Sequence, residues 1–210
     1  MDPVKQYFES AGVVTEYAAA TRRVGLWVSE EKVFTRLFDK DDAVLELGCG
    51  AGRIAFGLYE LGYVHLMATD YARPMVKQAQ QIAQMLNYRV ALQVADATAL
   101  RFEDDAFDGA IFGFNGLMQI PQSGQREEAL REIHRVLRPG AWFAFTTHDR
   151  ERSEHKDFWE AEAQRWRDGR QSPDLEKLGD RAEPAAEGCH FMHVPTVDEM
   201  EALLRRVGFR

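Results

Sequence analysis

The residues from Val44 to Arg53, VLELGCGAGR, constrain this chain more than any others. Val44 to Leu47 is short and apolar apart from one carboxylate, which reads as a buried strand. Glycines follow at positions 48, 50 and 52, and Arg53 to Leu61 reads as a helix. Glycine permits tight backbone geometry and close approach, because no Cβ stands in the way. The helix start adds unpaired N–H groups at the positive end of its dipole. A strand that runs through glycines into a helix suits a nucleoside-type ligand.

The spacing separates two readings of that unit. The dinucleotide fingerprint, G-x-G-x-x-G, is tied to pyrophosphate. Here the pattern is G-x-G-x-G, and Arg53 stands where the last dinucleotide glycine would fall. Glu46, two positions before Gly48, would repel a pyrophosphate and attract an ammonium or sulfonium group. The stretch resembles the first motif of the class I S-adenosylmethionine-dependent methyltransferases. The resemblance implies that Glu46 and the backbone of Gly48, Cys49, Gly50 and Gly52 hold the methionine portion of S-adenosyl-L-methionine.

Three downstream segments follow in the order that resemblance implies. Leu66 to Thr69 reads as a strand that ends at Asp70. An acid at the end of the second strand of such a unit can accept both ribose hydroxyls. Its alternative role is to cap the segment starting near Arg73-Pro74. Tyr71 either covers the adenine or faces solvent. A helix from Pro74 to about Met85 leads to a strand from Arg89 to Val94 and then Ala95-Asp96-Ala97. Asp96 and Ala97 resemble the family's adenine segment, since a carboxylate accepts from an exocyclic amine. The alternative is an Asp turn. Phe107-Asp108 enters the strand Ala110-Ile111-Phe112, and Phe112 would lie beside the methionine portion. Together these segments match the family across roughly residues 43–147.

The loop Gly113 to Pro121 leaves that strand at its carboxyl end, where ligands sit in open α/β sheets. Phe114 can pack against a substrate and Asn115 can hydrogen-bond it, or Asn115-Gly116 is simply a turn. The Pro-Pro-Tyr-type tetrapeptide of some amine and nucleobase methyltransferases is not here. Residues 123–137 read as an amphipathic helix with Ser123 at its N-cap, stopped by Arg138-Pro139-Gly140. The strand Ala141 to Thr147 ends at His148, which is either a general base or structural polar lining. Asn115 and His148 are the catalytic candidates.

The remainder divides around this core. Residues 4–38 read as helical in two pieces, broken near Gly12 or Gly25, and most of this region reads as packing on the sheet; the resemblance implies that such a region can close over the cofactor, with Tyr17 and Trp27 as its candidate aromatics, or else as core. Residues 150–195 break the strand–helix rhythm and read as a lid. That lid holds a helix from Ser153 to Asp168 and a strand from His190 to Val194. His190 and His193 lack the spacing of a metal site, and no metal is expected. Thr196 to Glu199 is a capping box opening a last helix that Gly208 ends. The resemblance implies two further strands after Gly208-Phe209. Either the fold is shortened there or those strands lie beyond Arg210.

Composition limits what such a chain does. A length of 210 residues fits one domain, divided as a helical cap at 1–40, a cofactor core at 41–149, a lid at 150–195 and a last helix at 196–210. The net charge of −8 disfavours gripping a phosphate backbone, so no nucleic-acid partner is expected. Two cysteines, one inside the glycine motif, fit a reducing cytoplasm. No apolar run reaches membrane-spanning length and no signal peptide is apparent. The expected fold is a Rossmann-like, doubly wound, mostly parallel α/β sheet flanked by helices. The expected activity is methyl transfer from S-adenosyl-L-methionine to a small-molecule acceptor. The alternatives are an NAD-dependent oxidoreductase and a non-catalytic cofactor-binding module. Oligomeric state has no signature in the sequence.

Overall fold

The computed structural model describes residues 2–152 and 154–210. Five parallel strands form the central sheet in the order β3-β2-β1-β4-β5. They are β1 (Val44–Leu47), β2 (Leu66–Asp70), β3 (Ala91–Val94), β4 (Phe107–Phe112) and β5 (Leu137–Phe145). The strand β1 is central and buried along its whole length, as a parallel strand covered on both faces must be. Leu45 and Leu47 pack on one face with Leu130 and Ile133. Val44 packs on the other with Phe34, Ile54 and Leu58. Glu46 shares the Val44 face by strand alternation, which brings a carboxyl group into the interior. The order reverses between β1 and β4, so a crevice opens at the carboxyl ends there.

The N-terminal region is three helices rather than two: α1 (Pro3–Glu9), α2 (Ala11–Arg23) and α3 (Val28–Leu37). The first break falls at Ser10, and Gly12 lies inside α2. Asp2 starts α1, its carboxylate accepting from the Val4 N–H at 2.9 Å, with Pro3 in the first turn where a missing N–H does no harm. Between the strands run α4 (Arg53–Glu60), α5 (Arg73–Leu86) and α6 (Ser123–Val136). The N-cap of α6 is Gln122, not Ser123. Both β4 and β5 start earlier than their sequence suggests, because Leu137 pairs with Phe107 before the register slips to Gly109 opposite Trp142. Arg138-Pro139-Gly140 is the bulge between those pairings, with Gly140 at φ 85°. It interrupts the strand instead of preceding it.

Residues 150–195 hold α7 (Lys156–Arg167) and a hairpin of β6 (Asp180–Pro184) with β7 (Cys189–His193). The expected helix start at Ser153 lies outside the described residues. The hairpin forms its own two-stranded sheet and packs on α1, where Phe191 joins Val4 and Phe8. The last helix, α8 (Val197–Val207), ends at Gly208 in the left-handed conformation. Its capping box is half formed. Thr196 accepts from the Glu199 N–H at 3.1 Å, but the Glu199 carboxylate turns instead to Arg150, Lys177 and His193.

Candidate functional site

A cavity of about 160 Å³ lies at the carboxyl ends of the sheet strands. Gly48 and Gly50 line it after β1, and Thr69 and Asp70 at the end of β2, with Tyr71 next. Asp96, Ala97 and Thr98 follow β3, and Phe112 ends β4, with Gly113 and Phe114 after it. The strand ends therefore bring together seven of the ten residues expected to hold a cofactor: Gly48, Gly50, Asp70, Tyr71, Asp96, Ala97 and Phe112. Glu46, Cys49 and Gly52 are not on the wall.

Asp70 organises the wall. One carboxylate oxygen accepts from the Gly50 N–H at 2.8 Å and the other from the Ala72 N–H at 2.8 Å. The side chain thus caps the turn into α5 and also ties the glycine turn to β2. Each oxygen keeps a further lone pair for a ligand hydroxyl. Burial pushes its carboxyl up to about 6, against the pull of the Ala72, Gly50 and Tyr71 N–H groups.

The glycines make the turn possible. Gly48 and Gly50 have φ of 62° and 53°, where a side chain is strained. A Cβ on Gly48 would stand 2.7 Å from the Phe112 ring, and one on Gly50 would stand 2.9 Å from Tyr17. Behind them Glu46 is buried, and its Oε2 has no hydrogen-bond partner among the described residues. Burial pushes its carboxyl up to about 8, although Arg53 and the Ala55 N–H oppose the shift. Cys49 is also buried, and that burial raises its thiol.

Asp96 forms the Asp turn that competes with its adenine role. Its Oδ1 accepts from the Thr98 N–H at 2.9 Å and the Thr98 hydroxyl at 2.7 Å. The exposed side chain nonetheless borders the cavity, with Oδ2 left for a ligand donor. Asn115 and His148 stand together, Nδ2 to Nε2 at 3.3 Å. Neither lines the cavity, and His148 is exposed beside it.

The N-terminal region covers the cavity, and Tyr17 is part of that cover. Asp2 at the start of α1, Phe8 of α1 and Tyr17 of α2 line the cavity, and no described residue of 150–195 does. The segment read as a lid sits one layer back and braces α1 through Phe191. Tyr17 meets Phe114 edge-on at 6.3 Å, and Phe114 meets Trp27 at 5.8 Å. Burial, with Tyr7 and Asp70 nearby, pushes the Tyr17 phenol up to about 12, so near neutrality it is a donor and not a base. The contributions of Asp2 and Phe8 were missed. Asp2-Pro3 is a legible helix start, but nothing local says where that helix docks.

A family described as methyltransferase domain matches residues 44–140. The match contains every wall segment that the sheet supplies, and the glycine turn falls at its start. Residues 44–140, somewhat under half of the chain, are thus similar to methyltransferase domains. The helical cover and the β6–β7 hairpin lie outside the matched methyltransferase domain. Over 102 residues the chain is 40% identical to a demethylmenaquinone methyltransferase of Lactiplantibacillus plantarum, covering 47% of this chain and 41% of that protein. Over 121 residues it is 30% identical to the methyltransferase GfsG of Streptomyces halstedii, covering 54% and 42%. The chain thus spans about two fifths of these relatives' length. A solved SAM-dependent methyltransferase from Methanosarcina mazei shares the fold, with TM-score 0.67 at 24% identity over 88% of this chain and 85% of that one. No helix among the described residues is long and apolar enough to cross a membrane.

Proposed function

We propose that this protein transfers the methyl group of S-adenosylmethionine to a small-molecule acceptor in the cavity beside Phe114. The observation that carries the reading is Asp70, a buried carboxylate on the cavity wall that is tied to Gly50 of the glycine turn. The residues fit the cofactor at each end. Asp70 has lone pairs left for the ribose hydroxyls, and Asp96 with Ala97 takes the adenine edge. The methionine end is assigned to the backbone of Gly48 to Gly52 and to Glu46, whose buried Oε2 is one partner short.

Bound S-adenosylmethionine supplies a methyl group already activated on a sulfonium. The chain's own task is then to orient an acceptor and exclude water. Tyr17 and Phe112 close the cavity with apolar surface. His148 is assigned the acceptor's proton, with Asn115 steadying the ring from 3.3 Å. His148→Gln should lower kcat while leaving KM unchanged.

Residues 1–210 are proposed as one unit. Support comes from the Arg53–Glu30 pair, which joins α4 to α3, and from Phe191 packed against α1. The two unpaired cysteines support a cytoplasmic setting, and the net charge of −8 supports a small molecule over nucleic acid as partner.

The test uses methyl-labelled S-adenosylmethionine with a panel of phenols, hydroquinones, amines and thiols. Label recovered in any acceptor supports methyl transfer. Binding of S-adenosylhomocysteine with no label in any acceptor replaces it with a non-catalytic module of the same fold.

A further inference from the structure

The cavity carries a charge pattern that selects among acceptors. Its charged wall residues are Asp2, Asp70 and Asp96, all acidic. No Lys, Arg or His among the described residues belongs to the wall. On the side formed by the loop after β4 and the first turn of α6, the polar groups are the neutral amides of Gln119 and Gln125, beside apolar Ile120 and Pro121.

Three cations stand behind the wall and each is engaged: Lys5 lies 5.8 Å from the Tyr71 ring and pairs with Glu9, Arg126 donates to the carbonyls of Ile120 and Pro121, and Arg53 is held by Glu30. Arg53 binds Glu30 through two nitrogens at 2.6 and 2.7 Å and donates to the Gly25 carbonyl at 2.9 Å. Its guanidinium lies against Trp27 and Phe114, 5.1 and 5.6 Å from the ring centres. What faces outward there is aromatic carbon, with Trp27 45% and Phe114 44% exposed.

That aromatic surface is held out at a conformational cost. Phe114 and Asn115 are consecutive non-glycine residues at φ 50° and 60°. Each such residue costs on the order of 1 kcal/mol and persists only where its surroundings impose it. Here Thr146 imposes it, its hydroxyl accepting from the Asn115 N–H at 2.8 Å. Core packing does not account for the strain, because the Phe114 ring is exposed. Strain that presents an aromatic ring at a cavity mouth, beside Tyr17 and Trp27, is the arrangement a flat ligand would use.

We infer that the methyl acceptor is a flat-ring compound that is uncharged or positively charged, and that carboxylates and phosphates are excluded. The inference rests on the methyl-transfer reading. A ligand anion about 8 Å from one wall carboxylate meets roughly 2 kcal/mol of repulsion at an effective dielectric constant of about 20. The cofactor's single net positive charge does not offset three carboxylates.

The test is calorimetric titration of the protein saturated with S-adenosylhomocysteine, using three probes on one scaffold: 2-naphthol, 2-naphthylmethylammonium and 2-naphthoate. The naphthol and the ammonium should bind, with the naphthoate at least about tenfold weaker, which corresponds to about 1.4 kcal/mol. Phe114→Ala should weaken the naphthol about fivefold, the size expected for loss of one aromatic contact. Gln125→Arg should narrow the gap for the naphthoate. Naphthoate binding as tightly as naphthol overturns the charge selection. Failure of all three probes on a protein that binds S-adenosylhomocysteine overturns the flat-ring assignment. Failure to bind S-adenosylhomocysteine at all is a different result and removes the methyl-transfer reading itself.

Discussion

Arg53, the first residue of α4, grips Glu30 of α3 through both terminal nitrogens, at 2.6 and 2.7 Å. The pair is nearly solvent-free, with side-chain exposures of 12% and 4%. Glu30 also accepts from the Trp27 N–H at 2.9 Å, so one carboxylate starts α3 and fastens it to the helix after the glycine turn. Removing one partner strands a buried charge, at a cost of about 3–5 kcal/mol. Arg53→Met should therefore lower stability to urea by about that much. Arg53→Lys should recover only part of it, because an ammonium cannot match the two-point contact. Stability within about 0.5 kcal/mol of the parent, the range of ordinary surface substitutions, would contradict this role.

Burial also sets a pH dependence. Glu46 is pushed up to about 8 and Asp70 up to about 6. A carboxyl raised on folding binds its proton more tightly in the native state. Its contribution to stability is full below the unfolded value near 4 and is lost as pH rises through the folded value. The urea midpoint should therefore fall between pH 5 and pH 9, first through about 6 and then through about 8. Asp180 and Glu199 act below that window. Burial raises both, but bonds from His193 and Lys177 bring both below the ordinary range. Glu46→Gln should flatten the upper part of the decline. A midpoint that rises across the same range in the parent protein would contradict the assignment.

Arg126 should matter more than its place in the sequence suggests. It is 1% exposed, donates to the carbonyls of Ile120 and Pro121 at 2.6 and 3.0 Å, and approaches Asp180 at 3.8 Å. Asp180 in turn holds His193 at 2.7 Å. One side chain thus joins the turn that walls the cavity to the β6–β7 hairpin. Arg126→Met should speed amide hydrogen exchange in residues 116–121 and 180–193 together and lower stability by about 3 kcal/mol. Faster exchange in only one of the two segments would show that they are not coupled through Arg126.

The core was legible because its signals are local. A strand, glycines at fixed spacing and an acid at each following strand end lie within short stretches, and Asp70, Asp96 and Phe112 all reached one cavity. The strand β6 was not legible, because Asp180, Arg181 and Glu183 read as a polar loop and only pairing with β7 makes them a strand. How the cover docks was not legible for a related reason. Which segment closes over a crevice depends on docking between distant parts, such as Glu30 with Arg53 and Phe191 with Phe8. Neither contact leaves a mark in local periodicity. Glu46 was legible as an unusual acid, but its burial was not.

Calorimetric titration with S-adenosylhomocysteine asks whether the glycine turn and Asp70 form a nucleoside site. The expected result is a single site with a dissociation constant of about micromolar order, equivalent to about 8 kcal/mol. Asp70→Asn should bind at least about tenfold more weakly, because its amide turns a donor toward the Gly50 or Ala72 N–H and takes an acceptor from the ligand. No heat of binding by the folded parent protein at millimolar ligand would contradict the account.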